Sequence, residues 1–232
     1  MTSPLISATD LQTLLSSASR SSVIVFDCRH RLTTPDVGRD LYLGGHVPGA
    51  LFASLDKDLS APAAMTPSGH SGRHPFPSPE AWLKHLGEWG VTPAARVIGY
   101  DDADGAYAAR LWWMLRAVGH ASVSVLDGGV QAWTQAGGML EEGEVSPVPA
   151  ASPYQGTFDT ERFVSMEAVR RQVETNAQTM LLVDARAPNR FRGESESLDP
   201  IAGHIPGARN AFYQDNLNPA GAFKSAAELR QR

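Results

Sequence analysis

Hydrophobic and polar positions along this chain follow two periods that take turns. "LQTLLSSA" carries apolar residues at helical spacing, with Ser7 placed to cap a helix, and "SVIVFD" is a short, continuous apolar run. A run of that kind marks a strand buried on both faces of a parallel sheet. Ser7 suits its place because a serine hydroxyl accepts from the free N–H groups of a first turn. The alternation continues with a helix over "SPEAWLKHLGEWG", opened by Ser78 and Pro79, and a strand at "ARVIGYD". A helix at "GAYAARLWWMLRAVG", a strand at "VSVLDGG" and a short helix ending near "AWTQAGG" complete the series. This order predicts an α/β unit of roughly 120 to 140 residues. A Pro/Ser-rich stretch, "EVSPVPAASPYQG" (144–156), then reads as a linker. Beyond it "MEAVRRQV" resumes helical spacing behind a capping Ser165, and "MLLVD" predicts another buried strand.

The resumption is a repeat. "LISATDLQTLL", "VIVFDCRH" and "LGGHVPGALFASLD" correspond in order to "RFVSMEAVRRQV", "LLVDARAP" and "IAGHIPGARNAFYQD", at an offset of 157 or 158. Asp27 and Asp184 are each followed two residues later by an arginine, Arg29 and Arg186. The second copy aligns through "FKSAAELRQR", and the counterparts of "ARVIGYDDADGAYAARLWW" and "VSVLDGGVQAW" are absent. A parallel sheet without its later strands would expose its edge and half a core. The expectation is therefore that the natural protein continues for roughly 50 to 60 residues past Arg232, by the repeat arithmetic. The expected organisation is a first domain over 1–143, a linker over 144–157 and the first half of a second domain over 158–232.

Composition narrows the function classes. A net charge of -5 with scattered Lys and Arg argues against nucleic acid or an anionic membrane as partner. No apolar run approaches the ~18 to 20 residues of a membrane span, and the N-terminus lacks the pattern of a signal peptide. The single cysteine, Cys28, cannot form an internal disulfide, which fits a reducing cytoplasm. A lone thiol is also a standing candidate for a nucleophile. Its counterpart in the second copy is Ala185, however, which favours a buried, inert thiol in an alanine-sized space. "DDADG" is no EF-hand: with Gly105 at the sixth position, Tyr100 and Leu111 fall where acidic ligands are needed. His70 and His74, in "SGHSGRHPF", have no Cys or acidic neighbour in sequence and read as solvated loop. His46 and His204 belong to the Gly-His-x-Pro-Gly turns, where a structural hydrogen bond is the expectation.

With these motifs in place the chain resembles the tandem rhodanese family, the thiosulfate and 3-mercaptopyruvate sulfurtransferases. "VFDCRH", "LVDARAPNRFRG", "GGHVPGA", "AGHIPGA" and "RLWWMLRAVGHASVSVLDGGVQAW" carry the likeness over nearly the whole length. The resemblance implies two rhodanese-like domains, each a mainly parallel sheet flanked by helices, with the active site between them. It implies a nucleophilic Cys in a loop after the fourth strand of the second domain, which puts that Cys past Arg232. The matching position in the first copy is Asp101, and a carboxylate cannot accept sulfane sulfur, so the first domain is expected to be silent. Arg190 matches the family's substrate arginine and would pair with an anionic donor, while Arg186 is expected to brace the loop or assist. Arg192 could exchange roles with Arg190. The mercaptopyruvate enzymes carry a second substrate arginine where this chain reads "GESESLDPIA", so the donor stays open between thiosulfate and 3-mercaptopyruvate. The implied reaction passes sulfur through a cysteine persulfide to cyanide or a thiol. No cofactor or metal is expected, and the expected state is a monomer with small-molecule partners only. This chain taken by itself is expected to be inactive. The alternatives are an inactive rhodanese-like binding or regulatory protein, and a phosphatase-like variant with a longer Cys loop.

Overall fold

Val23–Asp27 and Arg96–Tyr100, mainly apolar with one charged residue at an end of each, lie at the middle of a parallel sheet and are buried along most of their length. The computed structural model describes residues 3–62, 72–150, 152–177 and 179–231. In chain order the strands are β1 (Leu5–Ile6), β2 (Val23–Asp27), β3 (Leu51–Phe52), β4 (Arg96–Tyr100) and β5 (Val123–Leu126). They are arranged β1-β5-β4-β2-β3, all parallel, with Asp27 paired to Tyr100 and Phe26 to Leu51. Helices α1 (Ala8–Ser16), α2 (Asp36–Gly44), α3 (Pro79–Glu88) and α4 (Ala108–Ala117) connect them, and α5 (Gly129–Gln135) follows β5.

Side chains alternate across the strands and so feed two separate cores. Phe26 and Val97 pack with Trp82 and Leu86 of α3 and with Leu111 and Leu115 of α4. Val25 and Ile98 pack on the other face with Leu11 of α1 and Trp133 of α5. Each large side chain so buried contributes about 1.5–3 kcal/mol. Ser7 and Ser78 cap α1 and α3, accepting from the N–H groups of Asp10 and Ala81. α2, β1 and β3 carry no periodic signal in the sequence. α2 buries only Gly38 and Tyr42 and begins without a side-chain cap, and each of the two strands is two residues long.

The stretch expected to be a linker is part of this first unit. Val145 N–H donates to the Tyr42 hydroxyl (2.9 Å), and Ala150 N–H donates to the Gly87 carbonyl (2.9 Å). Tyr154 is buried, its hydroxyl 3.0 Å from His120 Nδ1. The first unit accordingly runs to Asp159, and the second comprises Thr160–Arg232.

The second unit holds α6 (Met166–Thr175), β6 (Val183–Asp184), α7 (Pro188–Phe191), β7 (Arg209–Asn210) and α8 (Ala226–Arg230). β6 and β7 are parallel, with Asp184 opposite Asn210. The strand expected over "MLLVD" forms only at its last two residues. Among the described residues of this unit none is buried, and Leu181, Val183 and Ile201 are exposed. Capping therefore carries more of its local order: Ser165 accepts from Ala168 N–H, and Ser225 with Glu228 forms a capping box on α8. Among the described residues no helix is long and apolar enough to cross a membrane.

Candidate functional site

The repeated Asp-x-Arg motif folds into the same clasp twice. At the end of β2, Arg29 Nε donates to both oxygens of Asp27 (3.1 and 2.9 Å), and Nη2 reaches Oδ2 (2.6 Å). The same Nη2 also donates to the carbonyl of Gly45 (2.6 Å), where the Gly-His-x-Pro-Gly turn begins. At the end of β6, Arg186 grips Asp184 at 3.0, 3.0 and 2.6 Å and donates to the Gly203 carbonyl (2.7 Å). These hydrogen bonds from Arg186 hold the Asp184 carboxyl below the usual aspartate value. Each clasp thus ties a strand end to a turn. The turns themselves match: Ala50 N–H donates to the Val47 carbonyl (2.9 Å) and Ala208 N–H to that of Ile205 (3.0 Å). In each, proline is followed by a glycine at positive φ, Gly49 at 72° and Gly207 at 83°, the requirement of a type II turn. His46 stacks on Tyr42, with Nδ1 2.9 Å from that residue's carbonyl oxygen. His204 does the same with Phe191 at 2.6 Å.

Arg190 stands on α7 with its fork filled. Nε and Nη2 donate to the two oxygens of Glu196 (2.7 to 3.2 Å), and Nη2 also contacts Asp199 (3.3 Å). The Glu196 side chain is 4% exposed, and the Arg190 hydrogen bonds, helped by Leu198 N–H, pull its carboxyl down to about 2. Arg192 is more exposed and pairs with Glu194 (2.7 and 2.8 Å). The segment that lacks an arginine therefore supplies acids that occupy the arginines before it. The signal in the sequence is three acids following directly on two arginines.

Cys28 is 1% exposed and packed in the core beside β4. Burial pushes its thiol well up, and the carboxylates of Asp101, Asp27 and Asp58 push it further. A nucleophilic thiol needs the reverse, a positive and accessible setting. Asp101, at the end of β4, is also 1% exposed and sits in a cradle of backbone donors. Its Oδ1 accepts from Ala103 and Gly105 (2.9 and 2.9 Å), and its Oδ2 from Tyr107 and Ala108 (2.8 and 2.9 Å). Burial raises this carboxyl, and the four N–H groups act against that rise. A loop curled at Asp104 and Gly105, both at positive φ, thus joins the start of α4 to form an anion site. Oxygens turned onto four N–H donors are not available to calcium.

His74 departs from the solvated-loop expectation: its Nε2 lies 2.8 Å from Asp56 Oδ1. His70 lies outside the described residues.

The Rhodanese-like domain profile matches residues 7–136. The chain is 42% identical over 222 residues to the probable 3-mercaptopyruvate sulfurtransferase of Pseudomonas aeruginosa, covering 95% of this chain and 76% of that protein. It is 39% identical over 219 residues to a putative thiosulfate sulfurtransferase of Mycobacterium tuberculosis, covering 94% and 74%. In fold it is similar to the 3-mercaptopyruvate sulfotransferase from Escherichia coli, with a TM-score of 0.77 and 30% identity over 99% of this chain and 82% of that one. The chain spans about three quarters of the length of both curated relatives.

Proposed function

This chain belongs to the rhodanese-like family of 3-mercaptopyruvate and thiosulfate sulfurtransferases, and from that premise we propose that it carries out sulfur transfer through a persulfide on a cysteine outside residues 1–232. The observation that carries this reading is the cradle around Asp101. A loop leaving β4 gathers four N–H groups on one anion, and a cysteine in an equivalent loop would have its thiolate and persulfide stabilised the same way. Aspartate at that place cannot hold a sulfane sulfur, so the first unit is silent and the second domain performs the chemistry. Cys28 does not substitute for the missing nucleophile, because it is buried and its thiol is held protonated.

In the proposed reaction a cysteine thiolate attacks the outer sulfur of thiosulfate, forming an S–S bond and releasing sulfite. With 3-mercaptopyruvate the C–S bond breaks instead, and pyruvate leaves once its carbanion is protonated. An acceptor, cyanide or a thiol, then attacks the outer sulfur of the persulfide and returns the cysteine to its thiolate. These are two half-reactions with a covalent intermediate. Arg190 is the residue assigned to the donor's anionic end, and binding would exchange the Glu196 carboxylate for a sulfonate or carboxylate of the donor. Arg186, engaged by Asp184 and the Gly203 carbonyl, holds the loop that presents Arg190. The buried Cys28 and the occupied cradle equally favour a second reading, a rhodanese-like module that binds or regulates without turnover.

Incubating the 232-residue chain with thiosulfate and cyanide should give no thiocyanate and no mass gain of one sulfur on Cys28. Robust turnover would overturn the assignment of Cys28. The protein at its full encoded length should turn over at least one of the two donors, and failure with both would favour the second reading.

A further inference from the structure

Two histidines and a carboxylate meet at the edge of the first unit, apart from the arginine clasp. His30 follows Arg29 as the chain leaves β2, Asp56 lies just past β3, and His74 stands ahead of α3. One ligand atom from each of the three lies within 4.8 Å of the others, the one such grouping among the described residues. His74 Nε2 and Asp56 Oδ1 are already in contact at 2.8 Å. His30 is 3% exposed, and its Nε2 has no hydrogen-bond partner. An orphaned buried polar atom of this kind costs the fold stability, a cost that a ligand at the nitrogen would offset.

The surroundings suit a cation of the zinc class. The His30 ring stands edge-on to Tyr107 (5.3 Å between centroids) and to His74 (6.0 Å), which fixes its orientation. The guanidinium beside it in sequence, Arg31, is paired with Asp102 at 2.7 and 2.8 Å. From the other side Arg110 Nη2 donates to the carbonyls of His74 (2.9 Å) and Leu59 (2.7 Å), holding the backbone that presents His74. Two imidazoles and one carboxylate match zinc, with water completing a tetrahedron, whereas calcium and magnesium prefer oxygen alone. Ligand atoms around tetrahedral zinc stand ~3.4 Å apart, inside the 4.8 Å that bounds this trio, so the partly exposed His74 and Asp56 would shift to seat the ion and their 2.8 Å contact would open.

We propose that His30, Asp56 and His74 form a zinc-class site that ties the residues around Asp56 and those around His74 to the end of β2. The purified chain, equilibrated with zinc and freed of excess, should retain one equivalent. Cobalt in its place should give the visible bands of a four-coordinate N/O site, with no thiolate charge-transfer band because Cys28 is buried. His74→Ala and Asp56→Asn should each weaken binding by roughly a hundredfold or more, since even outer-shell changes reach that scale. Both side chains are partly exposed, so these variants keep the test open should His30→Ala fail to fold; melting curves with chelator present check that they are folded. No retained metal in the wild-type chain would overturn the site, as would unchanged binding in His74→Ala and Asp56→Asn. So would loss of the metal on His85→Ala, because His85 sits against Asp58 and Glu88 as a rival set.

Discussion

Cys28 and Ala185 hold the same position in two copies of one motif, and in the first copy the extra sulfur is buried. Packing leaves the thiol no access and three carboxylates oppose its ionisation. Thiol reagents should leave Cys28 unlabelled in the native protein and label it fully only after denaturation, and Cys28→Ala should cost no more than about 1–2 kcal/mol in a urea melt. Much of this was legible in sequence, because the repeat supplied an alanine for comparison. The filling of Arg190's fork was not legible: nothing in "GESESLDP" says which acid turns inward until the loop is closed in space. Glu196 gives that contact a pH signature. Its folded value, about 2, lies below the ordinary 4.5, so the pairing contributes fully above 4.5, fades as pH falls below it, and is gone once pH passes about 2. Carboxyl titration by NMR should find Glu196 still ionised near pH 3, and Glu196→Gln should abolish that part of the acid transition.

At the scale of elements, the two proline-glycine turns offer a matched comparison. Both glycines need positive φ, so alanine at either should cost about 1–2 kcal/mol. Gly49→Ala should cost more than Gly207→Ala. A Cβ at Gly49 would fall 2.2 Å from Arg20 Nη2 and displace a guanidinium that holds the carbonyls of Val23 and Pro48, while a Cβ at Gly207 meets nothing within 4 Å. Equal losses in thermal melts of the two variants would contradict this. In the second unit α6 is found from its helical spacing; in the first, the elements found in sequence are those with a wide apolar face or an unbroken apolar run: α1, α3, α4, α5, β2, β4 and β5. Those missed, α2, β1 and β3, are set by their neighbours. A residue at Gly38 with a Cβ would strike the Arg29 carbonyl at 2.2 Å, so α2 is positioned by backbone contact with the chain leaving β2 rather than by a hydrophobic stripe.

At the scale of the molecule, the two units differ in how burial is distributed. The first has two cores on a five-stranded sheet; the second has no buried residue among those described. Amide exchange should therefore be slowest in β2 and β4 and fast throughout 160–231, and limited proteolysis should cut that region well before the first unit. Protection of β6 equal to that of β2 would refute the contrast. The repeat made the two-part organisation legible, but the boundary fell some fifteen residues later than composition suggested. Pro and Ser in 144–156 read as an unstructured tether, and backbone donors matched to the carbonyls of Gly87 and Leu83 overrule that composition. The trio His30, Asp56 and His74 was illegible for a related reason: its members are 26 and 18 positions apart, and only the fold makes them neighbours.

The stacked histidines carry one more implication. Tyr42 lies thirteen positions after Arg29, whereas Phe191 lies only five after Arg186, yet each ends as the plate beneath the histidine of its turn. The clasp fixes a closed ring in space and is indifferent to how much chain is paid out along its circumference. Residues 32–35 are thus a place where a peptide tag or a reporter loop can be spliced into this protein with the ring still shut.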